Sequence, residues 1–345
     1  MATIGLGHTL NDLRNILKPD GSIDRVLEIL SQVNPIMQHA VWVEGDLPTG
    51  NKTTVRASLP SPSIRRINRG VDATKGTTKQ IIDVCMSLED RSVIDVELLR
   101  GKPNPQAYRA AEDDAHVEGM AQYVAAMMLY GDLATEPDTI NGFMTRYNSL
   151  TGGKGTPGYQ VINAGLAAQS GDTNTSMLIV DWGADRVSGI YPRNTQAGLR
   201  TKDLGINDVQ DANGREYQAM KTLYHWDWGI AVHNVRSVAR VCNINAANLG
   251  TLTAAQQTSL VDKIVYAKNV LWKPKAPKMY VSDALYTFLE IYLTHKDNVH
   301  ITRQDLANAE SVLRFDGIPV FKKESGFSLF LGVFSGFMYL AAFVI

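Results

Sequence analysis

An acidic stretch near residue 112 contains residue types that could bind a metal ion. Glu112 and His116 are four residues apart with Asp113 beside the first, so a helix would place them on one face at a metal-ligand spacing. No HExxH pattern completes the set, and a solvated acidic helix face is the commoner origin of such a cluster. The sequence therefore favours a surface face, and a metal-dependent hydrolase on this helix remains an alternative.

A histidine-containing stretch near residue 230 could support proton transfer. In a strand, alternation would place His225, Asp227 and His233 on one face. Trp226 and Trp228 would then lie on the opposite face, where packing on a core explains the run without catalysis. No GxSxG serine motif accompanies these residues. We therefore interpret the stretch as part of a buried sheet.

The string GGKGTPG, which begins at Gly152, is the third candidate for chemistry. A Walker loop needs its lysine to be followed by Ser or Thr and then a helix, so that backbone amides converge on phosphate. Here Gly155 and Pro157 follow Lys154, so the pattern fails. We expect no catalytic residue, no cofactor and no metal, and predict that the chain is not an enzyme.

The composition is typical of a folded chain with a sizeable core. The 345 residues are 44% hydrophobic and 20% charged, which suits two or three domains. A formal net charge of −1 disfavours a histone-like protein that coats nucleic acid. Cys85 and Cys242 lie in unrelated contexts, so they predict neither a disulfide framework nor a zinc site, and Cys242 is expected to be buried. The first residues do not resemble a signal peptide, and synthesis in a reducing cytoplasm fits best.

The first forty residues predict a helical arm. Short apolar stripes at helical spacing indicate two amphipathic helices, at 9–17 and 22–30, separated by Lys18, Pro19, Asp20 and Gly21. Neither helix is long enough to be a stable domain. The arm must pack on another surface, either of this chain or of a partner.

Residues 45–80, which we call the basic loop, form an unusual segment rich in glycine, proline, threonine and serine. It contains seven basic residues against two acidic ones, a local charge of +5 that leaves −6 on the rest of the chain. Strand-like residues flank it at 40–43 and 81–86, so it reads as a two-stranded excursion that leaves the body and returns. Since so long a loop is uncommon inside a compact domain, we expect it to be disordered or to dock on a partner.

A long helix is predicted at 105–130, beginning with the Asn104-Pro105 cap. It has no internal proline, and apolar residues recur along it at spacings of three and four. Its first half is acidic. A negative helix and a positive loop in one chain predict complementary contacts, either internal or between copies. The candidate contact residues are Lys52, Arg56, Arg65, Arg66 and Arg69 on the positive side and Glu112, Asp113, Asp114 and Glu118 on the negative side.

The order of these parts resembles the major capsid proteins of short-tailed double-stranded DNA phages. The resemblance includes the segment VEGDLPTGNKTTVRASLPSPSIRRINRGVDATKGTTKQ and the later strings IVDWGADRVSGIYPRN, WGIAVHNVRSVARVCNI and RFDGIPV, and it covers residues 1–320. It implies an α+β, Hong Kong 97-type capsid fold with a long spine helix at 105–130. The implied divisions are an N-terminal arm (1–40), an extension loop (41–84), a peripheral domain (85–250) and an axial domain with the C-terminal segment (251–345).

The resemblance also implies a structural function. Copies would assemble through hexamers and pentamers into an icosahedral shell around the phage genome, in the virion and, during assembly, in the host cytoplasm. Scaffolding, portal and cement proteins are implied as possible partners. The packaged DNA would be contacted only non-specifically, since a nearly neutral wall need not neutralise phosphate.

The remaining sequence predicts an α+β arrangement. Strands are expected at 177–180, 186–191, 229–243 and 279–281, the first three in one sheet against the long helix, and helices at 253–267, 282–293 and 302–313. Residues 326–345 carry no charge and match a membrane span in length, which keeps a C-terminally anchored membrane protein as an alternative. Because glycines and serines interrupt this segment, we favour a buried sheet or subunit contact and expect no membrane.

Overall fold

The structure is a computed structural model that describes residues 35–100, 104–167, 174–211, 213–294, 301–305 and 311–323. The helices predicted at 9–17 and 22–30 and the apolar segment 326–345 lie outside these residues. The α-helices described are α1 Pro35–His39, α2 Val96–Leu99, α3 Pro105–Tyr130, α4 Phe143–Arg146, α5 Ala254–Val270 and α6 Asp283–Leu293. The strands described are β1 Trp42–Glu44, β2 Gly50–Ser58, β3 Thr77–Asp95, β4 Val161–Asn163, β5 Asn174–Asp181, β6 Val187–Tyr191, β7 Arg200–Gln210, β8 Glu216–Val232, β9 Val238–Asn245, β10 Pro277–Ser282, β11 Ile301–Asp305, β12 Ser311–Phe315 and β13 Ile318–Lys323.

The described residues group into two compact units. The smaller unit takes in residues 87–125 and 197–227, and the larger takes in 35–86, 126–196 and 228–323, in each case apart from the gaps given above. The division passes through β3, α3 and β8, which contribute residues to both units. The predicted helix at 105–130 is confirmed with these bounds as α3.

The smaller unit combines the first part of α3 with a long hairpin of β7 and β8. Asn104 accepts a hydrogen bond from the Ala107 amide (3.1 Å), which caps α3 as predicted. Strands β7 and β8 pair in antiparallel register from Arg200 opposite His225 to Gln210 opposite Glu216. A small core forms where Tyr108 of α3 packs with Ile94 and Leu99.

The larger unit contains a seven-stranded sheet in the order β11-β12-β13-β10-β5-β9-β4. Its buried residues form one apolar core with those of α5 and α6. Thr253 and Gln256 form a reciprocal capping box at the start of α5, so the helix predicted from Thr253 is confirmed. The helix predicted at 282–293 and the strand predicted at 279–281 are confirmed as α6 and β10.

The helix predicted at 302–313 is wrong. Residues 301–305 and 311–315 are strands β11 and β12, which pair in antiparallel register. The Asp316-Gly317 pair then turns the chain into β13, with backbone φ angles of 47° and 82°. Positive φ at both central residues is the type I′ pattern that closes two-residue hairpins. The apolar spacing of residues 302–313 fits a helix or a strand equally well, and the Asp316-Gly317 pair is the signal that favours the hairpin.

The prediction of one sheet containing 177–180, 186–191 and 229–243 is also wrong. Strand β5 lies in the seven-stranded sheet, whereas β6 pairs with β1 and β8 in a second sheet of order β1-β6-β8-β3-β2. The segment 229–243 is interrupted by a 3-10 turn at Val235–Ser237, so that β8 and β9 enter different sheets. Among the described residues, no helix has the length and apolar character that crossing a membrane requires.

Candidate interaction surface

The basic loop leaves the larger unit as a hairpin whose stem is β2 and the first part of β3. The two strands pair in antiparallel register from Gly50 opposite Val84 to Ser58 opposite Thr77. The predicted excursion is therefore confirmed, but its stem is not the predicted one, because 42–44 pairs with β6 instead of β3. Threonine and valine at 53–55 suit this pleated stem, since β-branched side chains pack well on a strand.

The root of the basic loop is fixed by a buried ion pair. The Asp83 side chain is 2% exposed and accepts a hydrogen bond from the Arg146 guanidinium at 2.6 Å. The Val232 amide donates to the second carboxylate oxygen at 3.2 Å, and Arg146 also donates to the Ile230 carbonyl. Because removal of one member would leave the other charge buried, this pair ties β3 firmly to its neighbours.

A second set of contacts holds the other strand of the root. Asn51 donates to the Thr53 hydroxyl (3.3 Å), and this hydroxyl is also hydrogen-bonded to Nδ1 of His233 (2.9 Å). Nε2 of His233 is hydrogen-bonded to the Ser188 hydroxyl (3.2 Å). At Gly50, φ is 156° and a Cβ atom would lie 2.0 Å from the Asp83 carbonyl oxygen, so only glycine fits there.

Beyond the root, the basic loop has no covering from the described part of its own chain. Every residue from Arg56 to Gln80 is exposed. At the tip, the Arg69 amide donates to the Arg66 carbonyl (3.2 Å) and Asn68 adopts a left-handed φ of 63°. Ile64 and Ile67 are 94% and 92% exposed. A folded segment with this exposure presents both charge and apolar surface to solvent.

The five basic candidates of the loop are all exposed, and the acidic candidates differ among themselves. Within the part of the chain that the structure describes, no ion pair involves any of these five residues, Lys52, Arg56, Arg65, Arg66 and Arg69. On α3, the Tyr224 hydroxyl donates to Asp113, Glu112 lies 3.7 Å from Nε2 of His116, and Glu118 accepts from Gln122 (3.1 Å). Asp114 is exposed. The structure thus brings Asp113 and Glu112 against their own unit and leaves Asp114 as the carboxylate most open to a partner.

Two of the histidines that suggested chemistry, His116 and His225, are bound to acidic side chains of their own unit. His116 contacts Asp90 at 2.6 Å and stacks on Tyr224, with ring centroids 5.4 Å apart. His225 lies 3.1 Å from Glu89 and 2.9 Å from Asp227, which is also paired with Arg200. Burial raises the pKa of Asp227, but hydrogen bonds from His225 and Ser87 and the charge of Arg200 outweigh it, so the net pKa falls below 3.8.

The other candidates for chemistry are structural as well. Trp226 and Trp228 are buried at 9% and 0% exposure, as expected for the core side of β8, and Cys242 is buried as predicted. In the GGKGTPG string, Pro157 opens a 3-10 turn that ends at Gln160, in place of the long helix a phosphate loop requires. Across the described residues, no group of three or more His, Cys, Asp or Glu side chains is arranged to hold a metal ion.

Asp83, Arg146 and His233 are the residues at the loop root whose roles sequence reasoning missed. The one available signal was a lone carboxylate within the apolar run of residues 81–84. A single acid in a strand that is otherwise apolar implies a partner, because an unpaired buried charge is costly. The partner Arg146 is 63 residues away, and no local pattern points to it.

Comparison with known proteins decides what this arrangement is. The family model of the major capsid protein GP7 matches residues 18–325. The chain belongs to this family. It is a major capsid protein that forms the icosahedral shell of a phage, and it is a component of the virion.

The match to one solved structure supports the fold of this capsid protein. A structure of bacteriophage Epsilon15 matches with 26% sequence identity and a TM-score of 0.74, and the match covers 95% of this chain and 98% of that one. The capsid of bacteriophage JBD30 matches with 11% identity over 90% of this chain and 97% of that one, with a TM-score of 0.49. A search of curated proteins finds no match. The predicted α+β, Hong Kong 97-type fold is confirmed.

Proposed function

We propose that the basic loop is the clasp by which each copy of this capsid protein holds a neighbouring copy within hexamers and pentamers. The positive side is formed by Lys52, Arg56, Arg65, Arg66 and Arg69, and the negative side by Glu112, Asp113, Asp114 and Glu118 of the neighbour. The observation that supports the proposal most is that every residue from 56 to 80 is exposed, on a loop whose root is held by a buried ion pair. A charged loop anchored in this way is suited to reach another copy.

The charges serve mainly for register and specificity. An exposed ion pair contributes only about 0–1 kcal/mol, so the few pairs that these residues can form per copy cannot stabilise a shell alone. Symmetry repeats each weak contact many times, which makes a closed lattice stable. Within the acidic set, Asp114 contributes most directly, since Asp113 and Glu112 also serve their own unit.

The proposal extends to the setting of assembly. In our reading the divisions 1–40, 41–84, 85–250 and 251–345 are the arm, extension loop, peripheral and axial domains of the family. Assembly takes place in the host cytoplasm, with scaffolding, portal and cement proteins as the candidate partners, and the shell has no catalytic activity. The packaged DNA touches the wall only non-specifically, because the chain carries a net charge of −1.

Charge reversal of the loop tip tests the clasp. The variant Arg65→Glu/Arg66→Glu/Arg69→Glu is expected to raise the protein concentration needed for assembly by at least about tenfold, because attraction becomes repulsion at every copy. Light scattering gives that concentration, and electron microscopy shows whether shells or capsomer rings form.

A matched control separates local from total charge. Lys154→Glu/Lys202→Glu/Lys263→Glu changes three other exposed cations by the same amount and should assemble as wild type. Adding Asp114→Lys/Glu118→Lys to the reversed loop should restore assembly in part. If the reversed loop assembles as well as wild type, the clasp proposal is wrong.

A further inference from the structure

We infer that Ile64 and Ile67, at the tip of the basic loop, are the apolar anchors that attach one copy to a second copy of this chain. The inference rests on the proposed clasp and adds its main source of affinity. The two side chains are 94% and 92% exposed, the highest values among the large exposed apolar residues of the described chain. Exposed isoleucines at a loop tip add nothing to the stability of the subunit that carries them, since apolar side chains stabilise only when removed from water.

The local structure presents these residues outward. The Arg69 amide closes a turn onto the Arg66 carbonyl, and the Thr74 hydroxyl donates to the Ser61 carbonyl (3.2 Å), so the tip has a defined shape. In the sequence the isoleucines flank Arg65 and Arg66 directly. This places apolar groups at the centre of the tip and cations beside them, which is the usual composition of a protein–protein contact with an apolar core and a polar rim.

A second copy of the chain offers a surface with the complementary pattern. On α3, Val117 is 38% exposed. Asp114 precedes it by about one helical turn, so a carboxylate lies beside this exposed apolar side chain. The charge outside the basic loop sums to −6, which favours this occupant over a nucleic acid or an anionic membrane. The geometry therefore points to Ile64 and Ile67 of one copy against the Val117 face of another.

The double variant Ile64→Ser/Ile67→Ser tests the anchors directly. Subunits should keep the wild-type thermal midpoint, because neither side chain is buried in its own chain. The concentration needed for assembly should rise at least about tenfold, as expected when two isoleucines no longer leave water. Ile64→Leu/Ile67→Leu should assemble as wild type. The matched control is Ile82→Ser, an isoleucine that is 61% exposed on the stem and should have little effect.

Two outcomes would overturn the inference. One is normal assembly of Ile64→Ser/Ile67→Ser, and the other is an equal defect in Ile82→Ser. Failure of the charge proposal is distinguishable, since the glutamate-reversed loop would then assemble while the serine variant would not. A photo-reactive phenylalanine at position 64 identifies the occupant. Cross-linked peptides that contain Val117 of a second copy support the assignment, whereas products with its own chain or with a host protein contradict it.

Discussion

His39 lies at the end of a hydrogen-bond chain that includes Tyr280 and Trp182. Trp182 can only donate, and its Nε1 lies 2.8 Å from the Tyr280 hydroxyl oxygen. The same hydroxyl is hydrogen-bonded to Nδ1 of His39, 3.0 Å away, and it can donate to this nitrogen when the imidazole is neutral. Burial, reinforced by the charge of Lys278, lowers the pKa of His39 from 6.5 to about 4.

This lowered pKa predicts a loss of stability in acid. Between pH 6.5 and 4 the unfolded chain binds a proton that the folded chain excludes, so His39 contributes stability above pH 6.5 that is lost as the pH falls towards 4. His39→Gln can still accept from Tyr280 but does not titrate. Its thermal midpoint should therefore depend less on pH than that of the wild type over this range. Thermal melts of unassembled subunits at successive pH values measure the difference, and parallel curves would contradict the assignment.

At the same scale, Asp83 shows what the sequence could and could not reveal. The sequence shows a lone carboxylate in an apolar strand at the root, and alternation alone correctly assigned the two tryptophans of β8 to the core. The pairing of Asp83 with Arg146 depends on how a strand and the short helix α4 meet, which no local pattern encodes. Contacts of this kind depend on the register of distant elements, which is set by the whole fold.

Among the elements, the basic loop is the one whose removal should abolish assembly without affecting folding. Ser58 and Thr77 are paired across the stem, with their hydroxyl oxygens 2.7 Å apart. A two-residue turn can therefore join them directly and replace the residues between them. Replacing residues 59–76 by Asn-Gly should leave the thermal midpoint and circular dichroism unchanged, because these residues are exposed. The variant should form no shells in electron microscopy.

A control of equal length distinguishes the effect of the loop's length from the effect of its side chains. A glycine–serine segment in place of residues 59–76 keeps the span of the basic loop and removes its side chains. We expect it to fail as the short variant does. Shells from either variant would show that the clasp is dispensable.

The elements also show where periodicity was sufficient as evidence and where it was not. Helix α3 was predicted with its observed bounds, because a proline cap and a long apolar spacing agree. The prediction of a helix at 302–313 was wrong because short apolar runs fit a helix or a strand equally well. The Asp316-Gly317 turn was the signal that distinguishes the two. The division of strands between two sheets was not predictable from alternation, which gives strands but not their partners.

For the whole molecule, attraction between copies depends more on how charge is distributed along the chain than on the net charge. The chain is nearly neutral at −1, yet the basic loop carries +5 and the remainder −6. Such a subunit attracts its own copies over distances set by the ionic strength. Fold class and function followed from the order of the elements and the family resemblance, whereas the individual contact residues remain predictions.

This charge separation predicts that assembly slows in salt. Raising the salt from about 0.05 M to about 1 M shortens the screening length to roughly 3 Å, so the initial rate of light scattering should fall. The final yield of shells should change less, because apolar contacts are not screened. The variant with a glutamate-reversed loop should show a flatter or inverted salt dependence. A wild-type rate that is independent of salt would contradict the role of the charged loop in encounter.

The buried root of the basic loop has a mechanical consequence. Under the proposed clasp, a neighbour that holds the tip would pull on the hairpin along its length. Both strands of the hairpin, Gly50–Ser58 and the first part of β3, would then share this load and carry it to the root. At its end the Asp83–Arg146 pair resists withdrawal of β3, since separating it would strand a charge away from water. In the proposed clasp the loop would therefore carry tension between copies, and its root would hold it in its own subunit.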